Sequence, residues 1–170
     1  MYLGDFVAGL SHPFGGADHI LAMVAVGLWS AFSGGRALWV WPAAFVSMVA
    51  VGFAAAVAGV QLPLVEPAIL CSIIVLGLLL ALAVKAPVWL GALVVGLFAL
   101  FHGHAHGTEA TMAGLRLIGY ATGFSFATAA LHAVGLLGGL VLARSARISL
   151  LRSSGVAVAI TGLALLATAS

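Results

Sequence analysis

The chain has 170 residues, 64% of them apolar and only 6% charged, with a mean hydropathy of +1.29. Soluble domains carry about 25% charged residues, so a soluble globular fold is excluded, and six spans of about 20 residues would leave only about 50 for every connection. That leaves no room for a soluble catalytic domain, and a net charge of +2 spread over so few charges marks no nucleic-acid surface.

Cys71 is the single cysteine, which excludes an intramolecular disulfide and a cysteine-cluster metal site. No Gly-rich phosphate loop occurs, so no nucleotide is expected as a partner. The opening MYLGDFVAGLSHP has neither a basic leading region nor a small-residue cleavage site, and it does not read as a signal peptide. Residues 2–11 put Leu3, Phe6, Val7 and Leu10 at helical spacing with Asp5 opposite, which predicts a half-helix lying at the interface.

Gly and Pro breaks then divide the chain into six apolar segments, about 12–34, 37–60, 67–84, 87–106, 114–143 and 153–169. The expectation is an all-α, polytopic membrane protein: one integral domain over 1–170, six helices in a compact bundle, with a Pro13-Phe14-Gly15-Gly16 break opening the first span. Alternate connections put Arg36, Lys85, Arg144, Arg147 and Arg152 on one face and Asp5, Glu66, Glu109 and Arg116 on the other. The positive-inside rule makes the first face cytoplasmic and both termini external. Trp29, Trp39, Trp41 and Trp89 flank that face as an aromatic belt, and the pairs Gly103/Gly107, Gly119/Gly123 and Gly135/Gly139 favour close helix packing.

Five of the six histidines and two of the four acids fall in SHPFGGADHILAMVAVG (11–27) and FHGHAHGTE (101–109). An ionisable side chain within a span costs several kcal/mol, so it faces a protein interior or a water-filled cavity and marks function. At about 100° per residue His12, His19 and Met23 share one face of the first span with Asp18 beside them, and His102, His106 and Glu109 form a second stripe with His104 turned away. His104 is therefore expected in a supporting or solvent-facing position. Counted from Arg36 and Lys85, His19 and His102 lie at matching depth, about 25 Å up their helices. Ser125, Thr128 and His132 give the fifth span a polar face, with His132 close to the midplane and placed as a relay.

Neutral imidazoles with one or two carboxylates suit Ni²⁺, Co²⁺, Zn²⁺ or Cu²⁺, whereas Mg²⁺ and Ca²⁺ prefer oxygen shells. The expected metal ligands are His12, Asp18, His19, His102, His106 and Glu109, with Met23, His104, Ser125, Thr128 and His132 as relay or supporting residues. Asp5 and Glu109 would concentrate cations at the outer mouth. The residues alone leave open an intramembrane metalloenzyme built on the same cluster, with Glu109 as base, and a haem-binding subunit with axial histidines.

HPFGGADHILAMVAVGLW at 12–29 and FHGHAHGTE at 101–109 resemble the two signature motifs of the HupE/UreJ family of nickel permeases. His12, Asp18 and His19 meet the first motif, and Phe101, His102, Gly103, Ala105, His106, Gly107 and Glu109 meet the second. The resemblance spans the whole chain. It implies a bacterial inner-membrane protein, not an enzyme, with no prosthetic group, that carries Ni²⁺ for hydrogenase or urease maturation. It also implies an N-terminal signal removed from the mature form.

Overall fold

In the computed structural model every apolar segment is helical, because in lipid a helix satisfies its own backbone N–H and C=O groups. The structure describes residues 3–110, 114–144 and 148–168. Helix α1 (Leu3–Ser11) leads through a 3₁₀ turn (His12–Gly15) into α2 (Ala17–Ser33). Then follow α3 (Ala37–Val57), α4 (Val65–Ala81), α5 (Val88–Glu109), α6 (Leu115–Arg144) and α7 (Ile148–Thr168). Helices α3, α5 and α7 and the Arg116–Leu142 stretch of α6 are each long and apolar enough to cross a membrane. Residues Leu3–Gly15 and Ala17–Ser33 qualify together as one segment bent by 85°, and α4 is a shorter apolar helix of 17 residues.

The bend corrects one expectation. Pro13 contributes no N–H and Gly16 is extended (φ −122°, ψ 127°), so the hydrogen-bond ladder stops and restarts at Ala17. His12 therefore does not share a helical face with His19 and Met23. Met23 is fully buried in the apolar core.

Reciprocal glycines clasp the helices in pairs. A Cβ on Gly103 would strike the Val49 backbone and one on Gly52 the Leu100 backbone, so α3 and α5 meet main chain to main chain. Gly27 and Gly135 do the same for α2 and α6, Gly77 and Gly155 for α4 and α7, and Gly9 and Gly123 for α1 and α6. Gly107 also faces α3 and Gly139 faces α2, so two of the expected small-residue pairs each serve a single neighbour. Helix α2 runs through the centre, with Ala22, Met23, Val26 and Trp29 buried.

Helix α1 keeps its apolar residues and Asp5 on opposite sides, but the acid faces protein and not solvent. Leu3, Val7 and Leu10 are exposed, while Asp5 is buried against α6. There Arg116 Nε and Nη2 donate to Asp5 Oδ1 at 3.1 and 3.0 Å, and Nε also reaches Oδ2 at 3.3 Å. A carboxylate held this way fastens α1 to α6 and is not a free cation attractor at the mouth.

The charges separate to two ends. Glu66 and Glu109 line one cavity of about 450 Å³ at one end, together with Gln61, His104 and Thr108. At the other, Lys85 Nζ lies over the Phe32 ring and Arg152 Nε donates to the Ala81 carbonyl at 2.8 Å. Arg147 lies outside the described residues. The aromatic belt is half as wide as expected: Trp39 and Trp89 are exposed, but Trp29 and Trp41 are buried against each other with ring centroids 4.2 Å apart. Their indole N–H groups donate to the Val84 and Val88 carbonyls, each at 2.8 Å, so the pair plugs the basic end instead of facing headgroups.

Candidate metal-binding site

The 3₁₀ turn, the start of α2 and the last two turns of α5 converge, and that convergence gathers the histidines. His12 Nε2 lies 3.1 Å from Glu109 Oε2, and His106 Nδ1 lies 3.9 Å from the same oxygen. One ligand atom from each of His12, His106 and Glu109 falls within 4.8 Å of the others. A first-row metal with bonds of about 2.1 Å needs ligand atoms about 3.0–3.4 Å apart, so side-chain rotation can close the trio without backbone movement. Glu109 is the solvent-facing partner, being 58% exposed against 1% for His106. His12 is half-buried, between the two.

Deeper in the bundle the rings continue in file. The His106 ring centroid is 4.7 Å from that of His12 and 4.4 Å from that of His19, and His19 is 5.1 Å from His102. Phe45 follows at 5.7 Å from His102, with His132 4.8 Å beyond it. The bend thus does what a continuous helix could not, since it sends His12 to Glu109 and His19 inward between His102 and His106.

Hydrogen bonds fix which nitrogens keep a lone pair. His19 Nδ1 is 2.9 Å from Asp18 Oδ1, an acceptor, so Nδ1 carries the proton and the buried Nε2 is left without a partner. His132 Nδ1 donates to the Thr128 carbonyl at 2.8 Å, which again leaves Nε2 buried and unpartnered. His102 Nε2 meets Ser72 Oγ at 3.0 Å and its Nδ1 is unpartnered, while His106 has no hydrogen-bond partner at either nitrogen. Buried polar atoms are normally satisfied, so these unpartnered imidazole nitrogens, with His104 Nδ1 among them, are free to take a further ligand.

The remaining expected residues fall elsewhere. His104 is buried, not solvent-facing: its Nε2 donates to the Val60 carbonyl at 2.7 Å and ties α5 to the chain after α3. Ser125 gives its proton to the Ala121 carbonyl and lines a groove beside the exposed Phe126, whereas Thr128 is fully buried with an unpartnered hydroxyl oxygen. Two residues escaped the sequence reading. Phe45 carried no signal, being one apolar residue in an apolar helix, but Ser72 was visible as a hydroxyl inside the run AILCSIIVLG.

The family model for "HupE / UreJ protein" matches residues 2–165. Protein HupE of Rhizobium leguminosarum bv. viciae is 48% identical over 162 residues, covering 94% of this chain and 83% of that protein. No solved structure matches the chain. Matches of this extent, on a helical chain with membrane-crossing segments, carry the conclusion that the chain belongs to the HupE/UreJ family, whose members are accessory, permease-like membrane proteins and not enzymes.

Proposed function

We propose that the chain is a bacterial inner-membrane permease that carries Ni²⁺ inward to supply hydrogenase or urease maturation. In this reading it is one integral unit of six spans with both termini external. The bent α1–α2 segment crosses once, and α4 crosses too, since its 17 residues reach about 26 Å. The observation that carries the proposal is the trio of His12, His106 and Glu109, continued inward by buried, unpartnered imidazole nitrogens at His19, His102 and His132.

The ligands then divide by depth. His12, His106 and Glu109 capture the ion at the acidic end, and Glu109 swings in to complete the shell. His19 and His102 receive it next. Asp18 acts through His19, holding its ring and raising its basicity as carboxylates do behind metal-bound histidines. His132 is the relay beyond Phe45. Met23, His104 and Ser125 serve packing and helix ties in this scheme, and the ion is cargo with no prosthetic group beside it.

The test is uptake of radiolabelled Ni²⁺ into proteoliposomes, with Co²⁺ and Zn²⁺ as competitors. Saturable uptake is expected in the native chain, lost in His106→Ala and Glu109→Gln and kept in Ser125→Ala. Native proteoliposomes that accumulate no more Ni²⁺ than empty vesicles would refute the permease.

A further inference from the structure

Ser72 sits on α4, the helix that contributes no histidine and no carboxylate to the file of rings. It is fully buried, as is His102, and its Oγ lies 3.0 Å from His102 Nε2. The same Oγ lies 2.6 Å from the Ile69 carbonyl, which can only accept. A serine has one proton, and the shorter contact to an obligate acceptor uses it, so Oγ faces His102 as an acceptor. His102 must then carry its proton on Nε2, which leaves the lone pair on Nδ1, buried and without a partner. The opposite tautomer would bury an N–H with nothing to receive it, at the cost of an unmade hydrogen bond. His19 approaches the same ring edge-on, its centroid 5.1 Å away and its plane at 89°.

We infer that Ser72 is the positioning residue for His102: by accepting the Nε2 proton it fixes the ring's orientation and presents Nδ1 as the metal-binding atom. Asp18 does the corresponding work for His19 and the Thr128 carbonyl for His132, so each inner histidine has a dedicated partner on its far nitrogen. Ser72 differs in coming from a separate helix, which makes the packing of α4 part of the site. The affinity part of this inference rests on the metal-binding reading above, whereas the tautomer part does not.

The experiment uses the full chain in detergent with ¹⁵N-labelled histidine, His102 being assigned by its loss in His102→Gln. The metal-free protein should show His102 protonated at Nε2. In Ser72→Ala that signal should shift toward a tautomer mixture, and Ni²⁺ affinity by calorimetry should fall about 10–100-fold. Ser72→Thr, which keeps the hydroxyl, should restore both, and that rescue separates positioning from packing. An unchanged His102 tautomer in Ser72→Ala, native Ni²⁺ affinity despite a changed tautomer, or a folded Ser72→Thr as weak as Ser72→Ala would each overturn the assignment. If the native chain binds no Ni²⁺ at all, the permease reading falls and this role in metal binding with it, while the tautomer comparison still decides whether Ser72 holds His102.

Discussion

Gly16 is the position where one methyl group should separate metal handling from folding. A Cβ built there would overlap Asp18 Oδ1 and lie 3.0 Å from His19 Nδ1. Alanine adopts the extended backbone of Gly16 without strain, and replacing glycine by alanine at this helix start costs at most about 1 kcal/mol. Most of the perturbation therefore lands on the Asp18–His19 hydrogen bond, which must break or swing aside. A hydrogen bond to a charged group contributes about 1.5–3 kcal/mol, and losing a carboxylate behind a metal-bound histidine costs about 10–100-fold in affinity, or about 1.4–2.8 kcal/mol. The two routes agree, so Gly16→Ala should weaken Ni²⁺ binding by about one to two decades. Gly15→Ala is the matched control, because nothing lies within 4 Å of a Cβ there. Calorimetric titration of both variants, with thermal unfolding alongside, makes the comparison. Equal affinities in Gly16→Ala and Gly15→Ala would refute the reasoning, and so would a Gly16→Ala protein whose melting temperature collapses.

The other predictions concern the cargo's competitor and the joints of the bundle. Metal binding needs imidazole lone pairs that protons also occupy, so lowering the pH should raise the half-saturating Ni²⁺ concentration, by up to tenfold per pH unit for each proton displaced. Uptake at low Ni²⁺ that stays level from pH 7.5 to about 5 would contradict it. Gly103→Ala should destabilise the chain by about 1–3 kcal/mol, since its methyl would strike the Val49 backbone with no side chain able to move away, and thermal unfolding against Gly4→Ala, where a Cβ meets nothing, reads it. Asp5→Asn removes the carboxylate that Arg116 grips and should release α1 from α6 by about 1–3 kcal/mol, seen as faster amide exchange across 3–11; unchanged exchange would show that Gly9 and Gly123 suffice to hold the helix.

What the sequence made legible follows from what membranes penalise. Charges and imidazoles are so rare in apolar helices that their positions stand out, and the two motifs at 12–19 and 101–109 do converge in space. Helix ends were readable for the same reason, because Gly34, Pro63 and Pro87 interrupt otherwise continuous apolar runs. The helical wheel failed at His12 because it assumes an unbroken ladder, and the amplitude of a Pro/Gly break depends on what the released segment packs against. Here that is α6, reached through Gly9 and Gly123 and locked by Asp5 and Arg116. The partner of Asp5 was not legible for a related reason: in lipid an exposed apolar face is the comfortable one, so Leu3, Val7 and Leu10 look outward and the acid turns in toward α6.

The misread tryptophans show the limit of local pattern more sharply. All four sit near the basic end, but burial depends on which neighbouring helix supplies space. Gly91 gives it to Trp41, whose ring occupies the volume that a side chain on α5 would fill. Trp41 in turn packs on Trp29, and the two indoles find carbonyls at Val84, between α4 and α5, and at Val88, the first residue of α5. The polar file of His12, His106, His19 and His102 therefore begins at the acidic end, while a dry aromatic pair closes the basic end. In the proposed permease reading, an ion entering at the acidic end meets unpartnered nitrogens as far as His132, and inward release would then require the Trp29–Trp41 pair to move. In that arrangement α2 is the element under the most conflicting demands, holding Asp18 and His19 at one end and Trp29 at the other.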